Sequence, residues 1–137
     1  INQKADLSIV EDDSFDLVYS MGVLQHQSSS RVVRMLIREF IRILKPDGLI
    51  MFQIPTHLPF ISRLKPRPRL CALLKLLGFD RMMLMRRFRL APVKRTAVSE
   101  SSIEETMISA NARILRMDRS DYNLAPGAEI RNYWVTK

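Results

Sequence analysis

The sequence predicts an α/β fold organised around a strand–helix–strand unit with parallel strands. Three observations carry that expectation. Phe15–Met21 (Phe-Asp-Leu-Val-Tyr-Ser-Met) is short, β-branched and aromatic, and it follows the acidic turn Glu11-Asp12-Asp13-Ser14, as a buried strand requires. Val33, Leu36, Ile37, Phe40, Ile41 and Leu44 recur at i, i+3, i+4, i+7, i+8 and i+11, which is one face of a helix. Leu49–Ile54 is a second, near-continuous apolar run. Strands with so little polar alternation are expected to be covered on both faces by helices. Strand, helix and strand at this spacing make a right-handed βαβ unit.

Each element has its own signals. Ser28-Ser29-Ser30 offers N-cap hydroxyls ahead of the periodic stripe. Arg31, Arg34, Arg38, Glu39 and Arg42 take mostly the other faces, and Glu39 can pair with Arg42 one turn on. Lys45-Pro46-Asp47-Gly48 ends the helix, because Pro46 pushes the preceding residue out of helical geometry, and the four residues suit a tight turn. Pro55 is expected to stop the second strand.

From His57 to Val98 the pattern changes. Pro59, Pro66, Pro68 and Pro92 punctuate a short amphipathic helix in which Leu70, Leu73, Leu74 and Leu77 share one side and Gly78 takes the C′ position. This stretch reads as a basic helical insert packed over a core. Beyond it, Ser99 or Ser101 caps a further helix with Ile103, Met107 and Ile108 on its buried side, and Asn111 is a left-handed terminator. Ala112–Met117 reads as a strand, Asp118–Glu129 as a loop or wide hairpin, and Ile130–Lys137 as a closing strand. Those last two strands pair antiparallel if they are neighbours, since no helix joins them.

Composition bounds the function. The chain has 137 residues, 47% of them hydrophobic and 26% charged, which fits one domain or part of one and excludes a disordered tail. A lone cysteine, Cys71, cannot close an intrachain disulfide, so a reducing, cytoplasmic setting is the expectation. The strongest apolar runs, Leu49–Ile54 and Leu70–Leu77, are too short for a membrane-spanning helix. The opening Ile-Asn-Gln-Lys-Ala-Asp resembles neither a signal nor a transit peptide and lacks an initiator Met, so the chain is expected to begin mid-protein. Net charge is +8, and eleven of the 22 Lys and Arg lie between His57 and Val98 against one acid, Asp80. A segment this basic suits phosphates, an anionic membrane surface or an acidic protein face.

Asp13-Ser14-Phe15-Asp16-Leu17-Val18-Tyr19-Ser20, then Val23-Leu24-Gln25-His26, then Arg38-Glu39-Phe40-Ile41-Arg42-Ile43-Leu44-Lys45-Pro46-Asp47-Gly48-Leu49-Ile50 stand in a telling order. With the closing Asn132-Tyr133-Trp134-Val135-Thr136-Lys137, they resemble the C-terminal half of a class I S-adenosylmethionine (SAM)-dependent methyltransferase of type 11 or 12. The resemblance implies a partial Rossmann-like sheet, equivalent to strands four to seven of that family with the last strand antiparallel. It makes 1–137 the C-terminal part of a methyltransferase domain, with 57–98 as a basic cap over the acceptor. SAM is the implied cofactor and a small molecule the implied methyl acceptor. The family's Gly-rich turn has no counterpart among Gly22, Gly48, Gly78 and Gly127, and the adenine-facing acid would fall near Gln3, with Asp6 the nearest carboxylate. The missing N-terminal half of the domain is therefore an expected partner, and this chain alone is expected to be inactive.

Carried over by resemblance, Tyr19, Ser20, Met21 and Gly22 line the methionine part of SAM, since carboxyl ends of parallel strands face the ligand cleft. Leu24, Gln25 and His26 fall at the junction of cofactor and acceptor, with His26 as a general base for a hydroxyl acceptor. His57, after Pro55 at the end of the second strand, is a further substrate-side position. Against these stand plainer readings: His26 as a helix-orienting residue, His57 as an exposed loop residue, and Cys71 as core. Two histidines with no cysteine or glutamate cluster at ligand spacing argue against a metal site. Phe60, Phe79 and Phe88 are too sparse for a nucleic-acid stacking platform. The alternative function is a truncated or pseudo-methyltransferase domain that acts as a binding module through the insert and open sheet edges.

Overall fold

The computed structural model describes residues 7–59, 70, 73, 74, 76–78, 95–121 and 127–137. Most of the basic insert, Cys71, Gln3 and Asp6 lie outside the described residues, as does the expected loop at 122–126. Within them run β1 (Phe15–Ser20), a single 3-10 turn (Leu24–His26), α1 (Ser30–Ile43), β2 (Leu44–His57), α2 (Glu100–Ser109), β3 (Arg113–Arg119) and β4 (Glu129–Thr136). The strands form one mixed sheet in the order β1-β2-β4-β3. β1 pairs parallel with β2, whereas β4 runs antiparallel to both of its neighbours.

The expected caps form. The Ser29 hydroxyl accepts from Val32 N at 3.3 Å, and the Ser99 hydroxyl accepts from Ser102 N at 3.4 Å, so each satisfies an otherwise orphaned donor in a first turn. Asn111 takes the left-handed conformation that closes α2, with φ 55°. Gly78 does the same after the leucine-rich turn, at φ 87°. Val33, Ile37 and Ile41 of α1 and Ile103 and Met107 of α2 meet Ile50, Phe52 and Ile54 of β2 and Tyr133 and Val135 of β4 in one core. Phe52 and Tyr133 stack there with ring centroids 4.9 Å apart.

Four expectations change in the structure, the simplest being that Ile108, expected on the buried side of α2, is 78% exposed while Thr106 is buried in its place. Lys45–Gly48 is not a separate turn but a bulge inside β2: Phe15 pairs with Leu44 and Leu17 with Leu49, so the extra residues are extruded between two ladder positions. The left-handed residue there is Asp47, at φ 63°, while Gly48 supplies space. A Cβ at Gly48 would stand 2.8 Å from Leu44 Cγ and 2.9 Å from the Lys45 carbonyl oxygen.

Pro55 does not end β2, which continues to His57 with Pro55 opposite Ile130. β1 has already ended at Ser20, opposite Phe52, so Pro55 lies on a stretch paired on one side alone, where a missing N–H is tolerated.

Among the described residues the sheet is also covered on one face rather than two. α1 and α2 both pack on the Ile50–Phe52–Ile54 face. On the other, Leu17 and Tyr19 are 54% and 64% exposed beside half-buried Leu49, Met51 and Trp134, and no described helix lies over them. The outer edge of β1 likewise has no partner strand among the described residues. No described helix is long and apolar enough to cross a membrane.

Candidate functional site

Because β1 and β2 are parallel, their carboxyl ends open at the same end of the sheet. Three segments meet there. The first leaves β1 through Ser20, Met21 and Gly22 into the 3-10 turn. The second is the end of β2, Pro55–His57. The third, residues 95–98, returns from the basic segment. Thr96 N donates to the Gln25 carbonyl at 2.8 Å, and the Thr96 hydroxyl donates to the Gln27 carbonyl at 2.6 Å. Val98 N donates to the Pro55 carbonyl at 3.0 Å, and the Val98 side chain is in the core. Residues 95–98 are therefore fastened both to the turn after β1 and to the end of β2.

The expected site residues fall into distinct environments. Alternation along β1 sends Tyr19 to the uncovered face and leaves Ser20 buried. Gly22 takes φ 71°, a conformation that costs glycine nothing and strains other residues. Its Cα faces open space, since a Cβ built there would meet only Gln25 Nε2, at 3.9 Å. Leu24 is 0% exposed and belongs to the central core, so its side chain packs the turn onto the sheet. Gln25 is also buried, with Nε2 donating to the Gly22 carbonyl at 3.3 Å and standing 3.4 Å from His26 Nε2. His26 itself is exposed. His57 is exposed at the tip of β2 in register with Glu129 of β4. The turn and the strand tip thus place one histidine each at this end of the molecule.

These residues fit one wall of a SAM site. The open backbone at Gly22 lets a ligand approach closely, and the exposed side of the turn carries His26. Groups that would hold the ribose and the amino-acid end are not supplied by this wall. Among the described residues, no group of three or more His, Cys, Asp or Glu is placed to hold a metal ion. Sequence reasoning missed Thr96 and Val98, which carried no local signal: both sit at the margin of the basic segment, far in sequence from the turn and strand they fasten.

The family model described as "Methyltransferase domain" matches residues 3–52, which takes in β1, the 3-10 turn, α1 and most of β2. Among solved structures, magnesium protoporphyrin IX methyltransferase from Synechocystis PCC 6803, with bound S-adenosylhomocysteine (SAH), is 14% identical at a TM-score of 0.56, covering 97% of this chain and 47% of its own. A SAM-dependent methyltransferase from Methanosarcina mazei is 15% identical at a TM-score of 0.63, covering 100% of this chain and 65% of its own. The [4+2]-cyclase SpnF is similar to the same degree, 15% identical at a TM-score of 0.58, with coverages of 100% and 54%. The fold thus carries more than one chemistry. The chain spans about half the length of the first of these structures and under two thirds of the others. No curated protein sequence matches it significantly. The family-model match over residues 3–52 and the sheet shared with these structures support a class I methyltransferase-like fold for the chain.

Proposed function

We propose that this chain supplies the C-terminal half of the catalytic domain of a SAM-dependent methyltransferase acting on a small-molecule acceptor. The observation that carries the reading is the meeting of the post-β1 loop, the tip of β2 and the 95–98 limb at the carboxyl end of two parallel strands, the usual ligand edge of such sheets. SAM, when bound, provides an electrophilic methyl group on a sulfonium. The chain's own residues would do the rest. Tyr19, Ser20, Met21 and Gly22 border the methionine part of SAM, chiefly through backbone groups. Gln25, His26 and His57 face the acceptor side, with Leu24 holding the turn in place from beneath. His26 takes a proton from a hydroxyl acceptor at Nε2, which gives up its long 3.4 Å contact with the Gln25 amide as the acceptor enters.

The same reading assigns the uncovered sheet face and the unpaired edge of β1 to an N-terminal half of the domain. A row of free backbone donors and acceptors beside an apolar face is unstable unless another element covers it. The composition of the basic segment, whose residues 95–98 are fastened at the site, suits an anionic acceptor or an acceptor held at an anionic membrane surface; nucleic acid has less support, because the segment's aromatics are sparse. Cytoplasmic location is part of the proposal and rests on the lone Cys71.

Turnover in the completed enzyme tests the catalytic role. His26→Ala is expected to lower kcat by about 10²–10⁴-fold if a proton moves to the imidazole in the transition state; unchanged turnover removes that role. The exposed Leu17 and Tyr19 face favours a second reading, a non-catalytic binding module built on the same sheet. SAH binding with no methyl transfer to any acceptor in the completed protein would select it.

A further inference from the structure

A three-residue 3-10 turn has little rigidity of its own. Its internal bonds are His26 N to the Val23 carbonyl at 3.1 Å and Gln27 N to the Leu24 carbonyl at 3.2 Å, and Val23 gives it no side-chain cap. Something else must hold the turn that carries His26.

Two anchors come from the turn itself: the fully buried Leu24 and the Gln25 amide bonded to the Gly22 carbonyl. A third comes from a residue about seventy positions away. The Gln25 and Gln27 carbonyls flank His26, and both accept from Thr96, one from its backbone N–H and one from its hydroxyl. Thr96 is itself held, because Val98 two residues on is bonded to Pro55 and buried in the core. An unbroken path of short contacts therefore runs from β2 through Val98 and Thr96 to both sides of His26.

The Gln25 amide extends that control to the imidazole. An amide nitrogen has only hydrogens to offer, and one of them already goes to the Gly22 carbonyl. At 3.4 Å from the same nitrogen, His26 Nε2 is the acceptor, which leaves the proton of the neutral ring on Nδ1.

We propose that Thr96 is a positioning residue of this site, holding the turn so that Gln25 keeps His26 in the Nδ1–H form. The proposal concerns the acceptor side of the methyltransferase site and rests on that reading for its purpose, but its geometry can be tested without any acceptor. It also ties the basic segment to His26: a displacement of the segment's return limb reaches the imidazole through two hydrogen bonds.

The test uses the full chain with 15N-labelled histidine. Long-range 1H–15N spectra near pH 8 report the His26 tautomer, and backbone amide exchange reports the turn. The unsubstituted protein is expected to show His26 as Nδ1–H. Thr96→Val keeps the β-branch and backbone N–H but loses the hydroxyl. It is expected to mix the two tautomers and to speed exchange at His26 and Gln27 about tenfold, equivalent to about 1.4 kcal/mol. Thr96→Ser restores both, and the Ile50 and Phe52 amides of the core stay as they were. The proposal is overturned if Thr96→Val leaves tautomer and turn exchange unchanged, if its effect is equal at Ile50 and Phe52, or if Thr96→Ser fails to rescue. SAH titration of the unsubstituted, completed protein tests the parent reading separately: absent binding beside an intact tautomer signature defeats the methyltransferase assignment and leaves the positioning role standing.

Discussion

Tyr133 is the residue at which burial and polarity conflict most openly. Its ring stacks on Phe52 and is 1% exposed, and its hydroxyl has no hydrogen-bond partner among the described residues. An unpaired buried hydroxyl costs about 1–3 kcal/mol. Tyr133→Phe is accordingly expected to raise stability by about 1 kcal/mol, read as a higher denaturant midpoint at unchanged slope. Burial first, then the Glu100 and Glu104 carboxylates, hold the phenol protonated well above its usual range, with Arg131 opposing them. The unfolded chain therefore releases this proton first as pH rises past about 10, and the folded state loses stability from there upward. In the Phe variant that part of the alkaline decline disappears. Gly48 makes an opposite case, since space rather than backbone freedom selects it. Gly48→Ala is expected to cost about 1–3 kcal/mol in thermal or denaturant unfolding, because the added carbon meets Leu44 and the Lys45 backbone. Short-range chemistry such as the Ser29 and Ser99 caps, the Asn111 terminator and the Glu39–Arg42 pair could be read from the sequence, because partners three or four residues apart follow from helical geometry. Thr96 could not, because its partners are remote.

At the scale of elements, α1 and β2 carry the fold. The apolar stripe of α1 lies on Ile50, Phe52 and Ile54, and α2 joins it on the same face. Ile37→Ala, at the centre of that stripe, is expected to cost about 2–5 kcal/mol by equilibrium unfolding. Ser29→Ala should cost only about 1 kcal/mol, since it removes a single cap. The far end of α1 is fastened differently. The Arg42 guanidinium bonds Glu39 and Asp12 and donates to the Val10 and Leu7 carbonyls at 3.0 and 2.9 Å, while Leu7 N donates to Glu39 at 3.1 Å. Arg42→Ala is expected to free residues 7–12, seen as faster proteolysis in that stretch with the β2 core still protected. Periodicity made α1 and both apolar strands legible. It could not show that Pro55 lies inside β2, because a proline is tolerated only where a neighbouring strand has ended, and that is a property of the sheet.

Among the described residues the sheet has one covered face and one open face. Strand composition implied cover on both faces, and the described residues provide it on one. Leu17, Tyr19, Met51 and Trp134 gather on the open face, with the Arg116 guanidinium over the Trp134 ring at 5.2 Å. The sequence made the sheet's chemistry readable but could not show this openness, since an apolar strand reads the same whether its cover lies in the same chain or elsewhere. Likewise, the turn after β1 was legible from Gly22 and His26, whereas its fastening by Thr96 was not.

The central claim is that these residues form one wall of a SAM site that a second half of the domain completes. Calorimetric titration of SAH into residues 1–137 alone and into the polypeptide extended by its N-terminal half tests it most directly. Saturable binding by the extended protein, with little or none by 1–137, is the predicted result. Tight binding by 1–137 alone, or none by the extended protein, would contradict it.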